Sequence, residues 1–330
     1  MKIFVYNLRE YDEKPFFDRF CAERDVEYAW TAETPTLENA ELARGCAAVN
    51  IITSPTDAAL LKKWRGLGVK YVATRTIGFE HIDIPAARDL GMRVASITYS
   101  PDSVANYAVM LMLMACRNIS HIIRRAGLQD YSLKGKIGRE LSRCTVGVVG
   151  TGRIGATVIR HLSRFGCRLL AYDAYPSEAV KADAEYVPLD TLLEQSDIIT
   201  LHAPLNDGTY HMIDGSAIAK MKKGVILVNT ARGALIDTAA LVDGLDGGHV
   251  GFAALDVIEN ETGLYYLNRM NEVIGNHDLA ILSAYPNVIL TPHTAFYTDE
   301  AVSNMVENSI QALVSFERGG DCPCPFEVKA

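Results

Sequence analysis

The chain is 330 residues long, 49% hydrophobic and 22% charged, and carries a formal net charge of −8. That length exceeds one ordinary core and predicts two domains, and the composition is that of a folded globular protein, which excludes a disordered chain. The acidic balance argues against nucleic acid as a partner, because a phosphate-tracking surface needs clustered lysine and arginine.

From the N-terminus, residues 2–6 alternate into a β-branched strand, 15–23 form a helix and 27–30 a second short strand. Residues 47–52 read as a buried strand, after which Thr53-Ser54-Pro55-Thr56 caps a helix over 57–67. A strand over 69–74, a helix over 84–90 closed by Gly91, and a strand over 92–95 complete a βα-alternating domain without a glycine-rich phosphate loop. Tyr99-Ser100-Pro101-Asp102 then leads into a long helix over 103–118. Its apolar residues run nearly all round, which predicts burial on more than one side and assigns its methionines to an inter-domain or inter-subunit core.

The run Val146-Gly147-Val148-Val149-Gly150-Thr151-Gly152-Arg153-Ile154-Gly155 follows. Small and β-branched residues make a buried parallel strand. Gly150, Gly152 and Gly155 supply a tight turn, a close approach to a pyrophosphate and close helix–strand packing. The helical stretch over 156–165 would point free N–H groups at the phosphates. A strand over 168–172 ends in Asp173, 18 residues past Gly155, where an acid accepts ribose hydroxyls and repels a 2′-phosphate, so NAD is expected over NADP. Such a fold usually opens with this turn, yet 145 residues precede it here. Four more strands follow, over 198–201, 224–229, 251–256 and 288–291, then an amphipathic helix over 298–316 and a strand-like tail.

The fold class is therefore α/β, with two Rossmann-like or flavodoxin-like parallel-sheet domains. Residues 101–297 form the NAD-binding Rossmann domain, inserted in a discontinuous substrate domain of 1–100 and 298–330. Hinges are expected near 100 and 297 with a cleft between, and a ligand at the carboxyl ends of the strands.

Hydride exchange between a nicotinamide and a carbonyl needs a cation for the substrate, a proton donor, and a group that orients the donor. Each late strand ends in a candidate: Arg232 after 224–229, Asp256 with Glu259 and Glu261 after 251–256, and His293 after 288–291. His293 is expected to be the general acid and Glu261 its partner carboxylate, while His202 lies near the cofactor. The other histidines, His211 among them, read as surface or turn residues. No metal-ligand or P-loop lysine motif occurs, so no metal is expected.

The cysteines at 21, 46, 116, 144, 167, 322 and 324 are scattered and suit a reducing cytoplasm, with Cys322-Pro323-Cys324-Pro325 an ordered tail. The longest apolar stretch, 107–116, is too short for a bilayer and no secretory h-region follows Met1, so a cytoplasmic protein without a membrane partner is expected.

Val146–Gly155 with Asp173, Asn229-Thr230-Ala231-Arg232-Gly233, Ala254-Leu255-Asp256-Val257 with Glu261, and Thr291-Pro292-His293-Thr294 resemble the successive signatures of the D-isomer-specific 2-hydroxyacid dehydrogenases. The resemblance runs essentially end to end. Thr74-Arg75-Thr76-Ile77-Gly78-Phe79, Tyr99–Ala105 and Phe296-Tyr297-Thr298-Asp299-Glu300-Ala301-Val302 are similar to the D-lactate dehydrogenase branch. Tyr99–Arg117 looks especially like its vancomycin-resistance members, which tend to lack an acid at position 173 and to use NADPH; Asp173 departs from them.

The resemblance implies a homodimer using NADH, with the long helix at the subunit interface. It implies that Arg232 binds the 2-oxo acid, that His293 paired with Glu261 protonates its carbonyl oxygen, and that Ile77 and Gly78 N–H groups with Tyr99 hold its carboxylate. Arg153, Ile154, Asp173, Ala203, Pro204, Thr209, Thr230, Ala231 and Asp256 fall on the family's cofactor contacts. Phe79 and Phe296, with Ile51 or Ile52 opposite, are expected to form an apolar substrate wall. D-lactate dehydrogenase is the first expectation for function. A larger substrate such as 2-hydroxyisocaproate, phenyllactate or 2-hydroxyglutarate is the alternative, and a non-catalytic NAD(H)-sensing protein a remote one.

Overall fold

A computed structural model describes residues 1–320 and Glu327. The chain divides into two compact units, Met1–Ser100 with the described residues of Tyr297–Ala330, and Pro101–Phe296. The second unit is continuous in sequence, and the first is made of two pieces.

The first unit opens with β1 (Lys2–Val5), α1 (Lys14–Glu23), β2 (Glu27–Trp30), β3 (Ala48–Ile51), α2 (Ala58–Gly66), β4 (Tyr71–Thr74), α3 (Ile84–Asp89) and β5 (Arg93–Ala95). The strands form a parallel sheet in the order β2-β1-β3-β4-β5. Successive side chains on β1 go to opposite faces, as the pleat requires: Phe4 and Tyr6 pack with Val49, Leu60, Trp64 and Val72, whereas Ile3 and Val5 pack with Phe17, Phe20 and Ala73. The cap of α2 is Asp57, whose carboxylate accepts from the Leu60 N–H, so the helix starts later than the Thr-Ser-Pro-Thr signal suggested.

The second unit begins with α4 (Pro101–Cys116), which buries Val104, Ala105, Ala108, Leu111, Met112 and Ala115. It ends two residues earlier than the sequence reading and is followed by α5 (Ile119–Gly127), an element that reading did not separate. Asn118 in left-handed backbone (φ 51°) makes the break. Then come β6 (Thr145–Val149), α6 (Arg153–Leu162), β7 (Arg168–Tyr172), β8 (Glu185–Tyr186), α7 (Leu189–Gln195), β9 (Ile198–Leu201), α8 (Gly215–Lys220), β10 (Val225–Asn229), α9 (Thr238–Asp246), β11 (Val250–Leu255), α10 (His277–Ala284) and β12 (Val288–Leu290). The two-residue edge strand β8 carries too little pattern to be read from sequence.

All seven strands are parallel, in the order β12-β11-β10-β9-β6-β7-β8. A parallel sheet covered on both faces selects continuous apolar runs, and every residue of β9 and β10 is buried. Ile226 and Val228 face the layer of α4 and α6, while Leu227 packs on the opposite side with Leu241 and Ile218. Each such side chain contributes roughly 1.5–3 kcal/mol on burial. The order in which strands are added reverses between β6 and β9, so the loops after these strands meet at the switch point.

The last helix, α11 (Asp299–Glu317), belongs to the first unit and is capped by Thr298, whose hydroxyl accepts from the Ala301 N–H. Val306, Ile310, Leu313 and Phe316, at helical spacing, are buried in the core of β1 and β4. The strand-like tail and the Cys322–Cys324 pair lie outside the described residues. Glu327 bridges Ala95, and its carboxylate meets Arg93 at 2.7 Å. Among the described residues no helix is long and apolar enough to cross a membrane.

Candidate active site

The glycine turn sits at the switch point of the second sheet. Gly150 has a φ of +90°, which favours glycine, and a Cβ there would lie 2.5 Å from the Ala203 N in the loop after β9. A Cβ on Gly155 would lie 1.9 Å from the Gly150 carbonyl, so α6 can approach β6 this closely only with glycine. Gly152 differs: a Cβ there would meet nothing within 4 Å. The protein's own packing does not require it, and the open space in front of it fits a pyrophosphate. Gly152 is also the N-cap of α6 and offers no side-chain acceptor to the helix N-terminus, the kind of end that binds phosphate. Arg153 and Ile154 are the first two residues of that helix.

Asp173 follows β7 and is half-buried. Its Oδ2 accepts from the Thr151 N–H at 2.5 Å and the Thr151 hydroxyl at 3.1 Å, and its Oδ1 from the Tyr175 N–H at 2.8 Å. The acid expected at the ribose therefore also ties the tip of β7 to the glycine turn. His202 directly follows β9, with its Nε2 at 2.9 Å from the Thr200 hydroxyl, and burial pushes its imidazole down to about 4. It is a neutral ring at neutral pH. Pro204 is exposed, and the Thr209 hydroxyl donates to the Pro204 carbonyl at 2.6 Å, folding this loop on itself. Ala231 is fixed by its N–H to Asn229 Oδ1 at 3.0 Å. The Thr230 hydroxyl is buried and has no hydrogen-bond partner. An orphaned buried hydroxyl is costly unless something supplies a partner, and at the end of β10 it suits a bound dinucleotide.

The polar groups at the ends of β10, β11 and β12 come together within this unit. Arg232 leaves β10 with its backbone oxygen accepting from Asn229 Nδ2 at 2.8 Å and its own Nη1 donating to the Ala231 carbonyl at 2.8 Å. Gly233 after it packs so tightly on the backbone of Ile258 and Glu259 that a Cβ would sit 2.0 Å from the Ile258 carbonyl carbon. The Arg232 loop is thereby keyed to the loop that carries Glu261. His293 Nδ1 stands 2.5 Å from Glu261 Oε1, and the other oxygen of Glu261 accepts from the Ile258 N–H at 3.1 Å. Nε2 of His293 has no partner among the described residues.

His293 adopts left-handed backbone with φ 53°, and a fully buried carboxylate holds it there. Asp256 Oδ1 accepts from the Thr291 hydroxyl at 2.6 Å and the Thr294 N–H at 2.9 Å, its Oδ2 from the Ala295 N–H at 2.9 Å, and its carbonyl from the His293 N–H at 2.8 Å. Asp256, expected among the cofactor contacts, is thus turned inward and fixes the histidine turn. The Tyr107 hydroxyl on α4 reaches Thr294 Oγ1 at 3.2 Å and braces the same turn.

The residues expected to hold a carboxylate lie in the first unit. Ile77 and Gly78 follow β4 half-buried, and neither backbone N–H has an acceptor among the described residues. The loop is held by a Thr74–Thr76 hydroxyl contact of 2.6 Å and by the Thr76 hydroxyl donating to the Gly78 carbonyl at 2.6 Å. Tyr99 is half-buried and Phe79 exposed. Ile51 corrects an expectation: it is fully buried in the sheet core and cannot line a substrate wall, because its β3 position faces the Leu60–Trp64 layer.

Sequence reasoning missed several groups here. Arg75 is fully buried, with Nε at 2.8 Å from the equally buried Glu13 and other nitrogens on Asn50 Oδ1 and the Tyr6 and Asn7 carbonyls. This ion pair fills the reversal point of the first sheet, between β1 and β3, where an open sheet would otherwise take a ligand. Tyr265 has a buried hydroxyl without a partner, and burial, reinforced by Glu261 and Asp256, holds it well above the ordinary tyrosine range. Tyr266 lies beside His293. The aromatic pair after Glu261 was the available signal.

A glycine turn at a switch point, with a cation and a histidine–carboxylate pair at the neighbouring strand ends, defines a dinucleotide-dependent oxidoreductase. The family model described as D-isomer specific 2-hydroxyacid dehydrogenase, NAD binding domain, matches residues 109–295. The chain is 44% identical to an aromatic 2-oxoacid reductase of Clostridium sporogenes, over 98% of each protein. It is 47% identical to a D-specific alpha-keto acid dehydrogenase of Enterococcus faecium, over 80% of this chain and 81% of that protein. A crystal structure of a D-lactate dehydrogenase from Treponema pallidum matches with a TM-score of 0.91 at 35% identity, over 100% of both chains. The chain belongs to the D-isomer-specific 2-hydroxyacid dehydrogenases. It is an NAD-dependent oxidoreductase acting on CH–OH groups.

Proposed function

We propose that this enzyme reduces 2-oxo acids with apolar side chains to D-2-hydroxy acids. The observation that carries the proposal is the orientation of His293: Glu261 occupies Nδ1 at 2.5 Å, which fixes the ring and leaves Nε2 for a substrate oxygen. The turn at Gly150, Gly152 and Gly155, the start of α6 at Arg153 and Ile154, Asp173, and the strand-end residues Ala203, Pro204, Thr209, Thr230 and Ala231 would hold the dinucleotide. When bound, it supplies the hydride to the carbonyl carbon.

The chain's own groups do the rest. His293 Nε2 donates the proton that the carbonyl oxygen needs, and Glu261 on Nδ1 holds the ring in place for it. Arg232 takes the substrate carboxylate and polarises the carbonyl. Within the first unit, the Ile77 and Gly78 N–H groups and Tyr99 are groups of a kind that binds a carboxylate.

D-Lactate formation from pyruvate is the smallest member of this substrate range. A second reading, a larger aromatic or branched 2-oxo acid, has its own support. The rings of Tyr266 and Phe296 stand 6.0 and 6.5 Å from the His293 ring, and a relative 44% identical is named an aromatic 2-oxoacid reductase. Measuring kcat/KM with NADH for pyruvate, 2-oxoisocaproate and phenylpyruvate separates the two. A preference of about a hundredfold for pyruvate would decide for lactate, and one against it for the larger substrate. An enzyme that turns over none of them would sink the proposal.

We further propose a homodimer built on the α4–α5 region. Ile123, Leu128, Tyr131, Leu133 and Ile137 are exposed there, an apolar surface of the kind that a partner copy covers. Sedimentation should give a mass of two chains, and a monomer at assay concentration would refute it.

A further inference from the structure

Beside the imidazole stands a tyrosine whose hydroxyl the mechanism above does not use. Tyr266 sits five positions after Glu261, and its hydroxyl donates to the His293 carbonyl at 2.9 Å. Its ring centroid lies 6.0 Å from the His293 ring and 6.3 Å from that of Phe296, meeting Phe296 edge-on at 83°. Phe296 is in turn edge-on to His293 at 81°. The three rings therefore form one corner, and Tyr266 remains half exposed at its rim.

The backbone at this corner is unusual twice over. Tyr266 has a φ of 68° and His293 a φ of 53°, both in the left-handed region that bulky residues avoid. Such conformations are unfavourable for non-glycine residues and persist where surrounding bonds hold them. The hydroxyl–carbonyl bond joins these two residues directly. One segment, 261–266, thus delivers both the carboxylate on the ring of His293 and the hydroxyl on its backbone.

We propose that Tyr266 is a specificity-determining residue of the dehydrogenase. Its ring and Phe296 form the wall against which an apolar or aromatic 2-oxo acid side chain packs, while its hydroxyl fixes the position of His293. The inference rests on His293 being the proton donor. The chemistry suits the wall: an aromatic side chain gains edge-to-face contacts with two rings there, whereas the methyl of pyruvate is too small to reach both. The two parts of the side chain have separable consequences. The ring acts on the choice of substrate, and the hydroxyl on the turnover of every substrate.

The test uses the full chain with NADH, pyruvate and phenylpyruvate, and the variants Tyr266→Phe and Tyr266→Leu. Tyr266→Phe keeps the wall and loses the bond: kcat should fall several-fold for both substrates alike, with their kcat/KM ratio unchanged. Tyr266→Leu loses both, and the ratio of phenylpyruvate to pyruvate kcat/KM should fall by about tenfold or more. NADH affinity and the thermal midpoint should stay near wild type in both variants, since the side chain is half exposed and the glycine turn is elsewhere. A wild-type ratio in Tyr266→Leu overturns the proposal, and so does a ratio already lost in Tyr266→Phe. Those results, with an active wild type, leave the proton-donor reading standing; a wild type inert toward every 2-oxo acid would instead overturn that reading and this inference with it.

Discussion

Two histidine–glutamate pairs lie in the second unit, and they look alike at first. His293 meets Glu261 at 2.5 Å, and His211 meets Glu259 at 2.7 Å. Both histidines are partly buried and both take left-handed backbone, with φ of 53° and 50°. They differ in which ring nitrogen is engaged. His211 gives its Nε2 to Glu259, and its Nδ1 faces Asp237 at 4.0 Å, so carboxylates stand at both nitrogens. Its face is closed by Tyr210, stacked at 3.9 Å. His293 gives up Nδ1 to Glu261 and has no partner at Nε2 among the described residues, as the proposed proton donor requires. A pair of this kind becomes chemistry only where one nitrogen is left over. The second pair ties elements together: Glu259 also accepts from the Thr238 N–H at 3.0 Å and its hydroxyl at 2.7 Å, pinning the start of α9.

The largest expected contrast comes from replacing the two histidines in turn. His293→Gln should lower kcat by about 10²–10⁴, the usual range for loss of a general acid. His211→Gln keeps a donor for Glu259 and should leave kcat within about twofold of wild type, with a small drop in thermal midpoint at most. Steady-state kinetics on both proteins checks the contrast, which collapses if the His211 variant is the slower one.

The smallest contrast is a matter of pH. Burial alone would raise the Glu259 carboxyl, but hydrogen bonds from His211 and Thr238 outweigh it and hold the group below the ordinary glutamate value. A carboxyl depressed in the folded state stabilises above its unfolded value, and that contribution is lost as pH falls through the folded one. Wild type should therefore lose thermal stability more steeply than Glu259→Gln as the pH falls below the ordinary glutamate range. Parallel slopes for the two proteins would show that the pairing contributes nothing to acid stability.

The first and second sheets differ in legibility for a physical reason. In the second, Gly150–Gly155, Asp173, Arg232 and His293 stand at strand ends, and continuous apolar runs mark the strands that carry them. Local pattern alone therefore set these residues in order. In the first, the decisive residue is the fully buried Arg75, to which the sequence reading gave no role of its own. Its partners Glu13, Asn50 and the carbonyls of Tyr6 and Asn7 come from three other segments, and no local pattern joins them. Ile51 shows the same limit on a smaller scale: its strand was readable, but the face it points to depends on what packs there. The sequence reading closed the long helix at Asn118, where the break falls, but did not name α5 beyond it.

By itself the sequence determined the alternation of strands and helices, the glycine turn and its acid, and the residue types at the ends of the later strands. These follow from backbone sterics, side-chain periodicity and the few residues that can bind phosphate or carry a proton, all of which act over short stretches of chain. Tertiary structure decided how those groups are used. It placed Glu261 on one nitrogen of His293, turned Asp256 inward to hold the histidine turn, and set Tyr266 against Phe296. Each of these depends on atoms from separate segments meeting within a few ångströms, and such distances are set by the packing of the whole sheet.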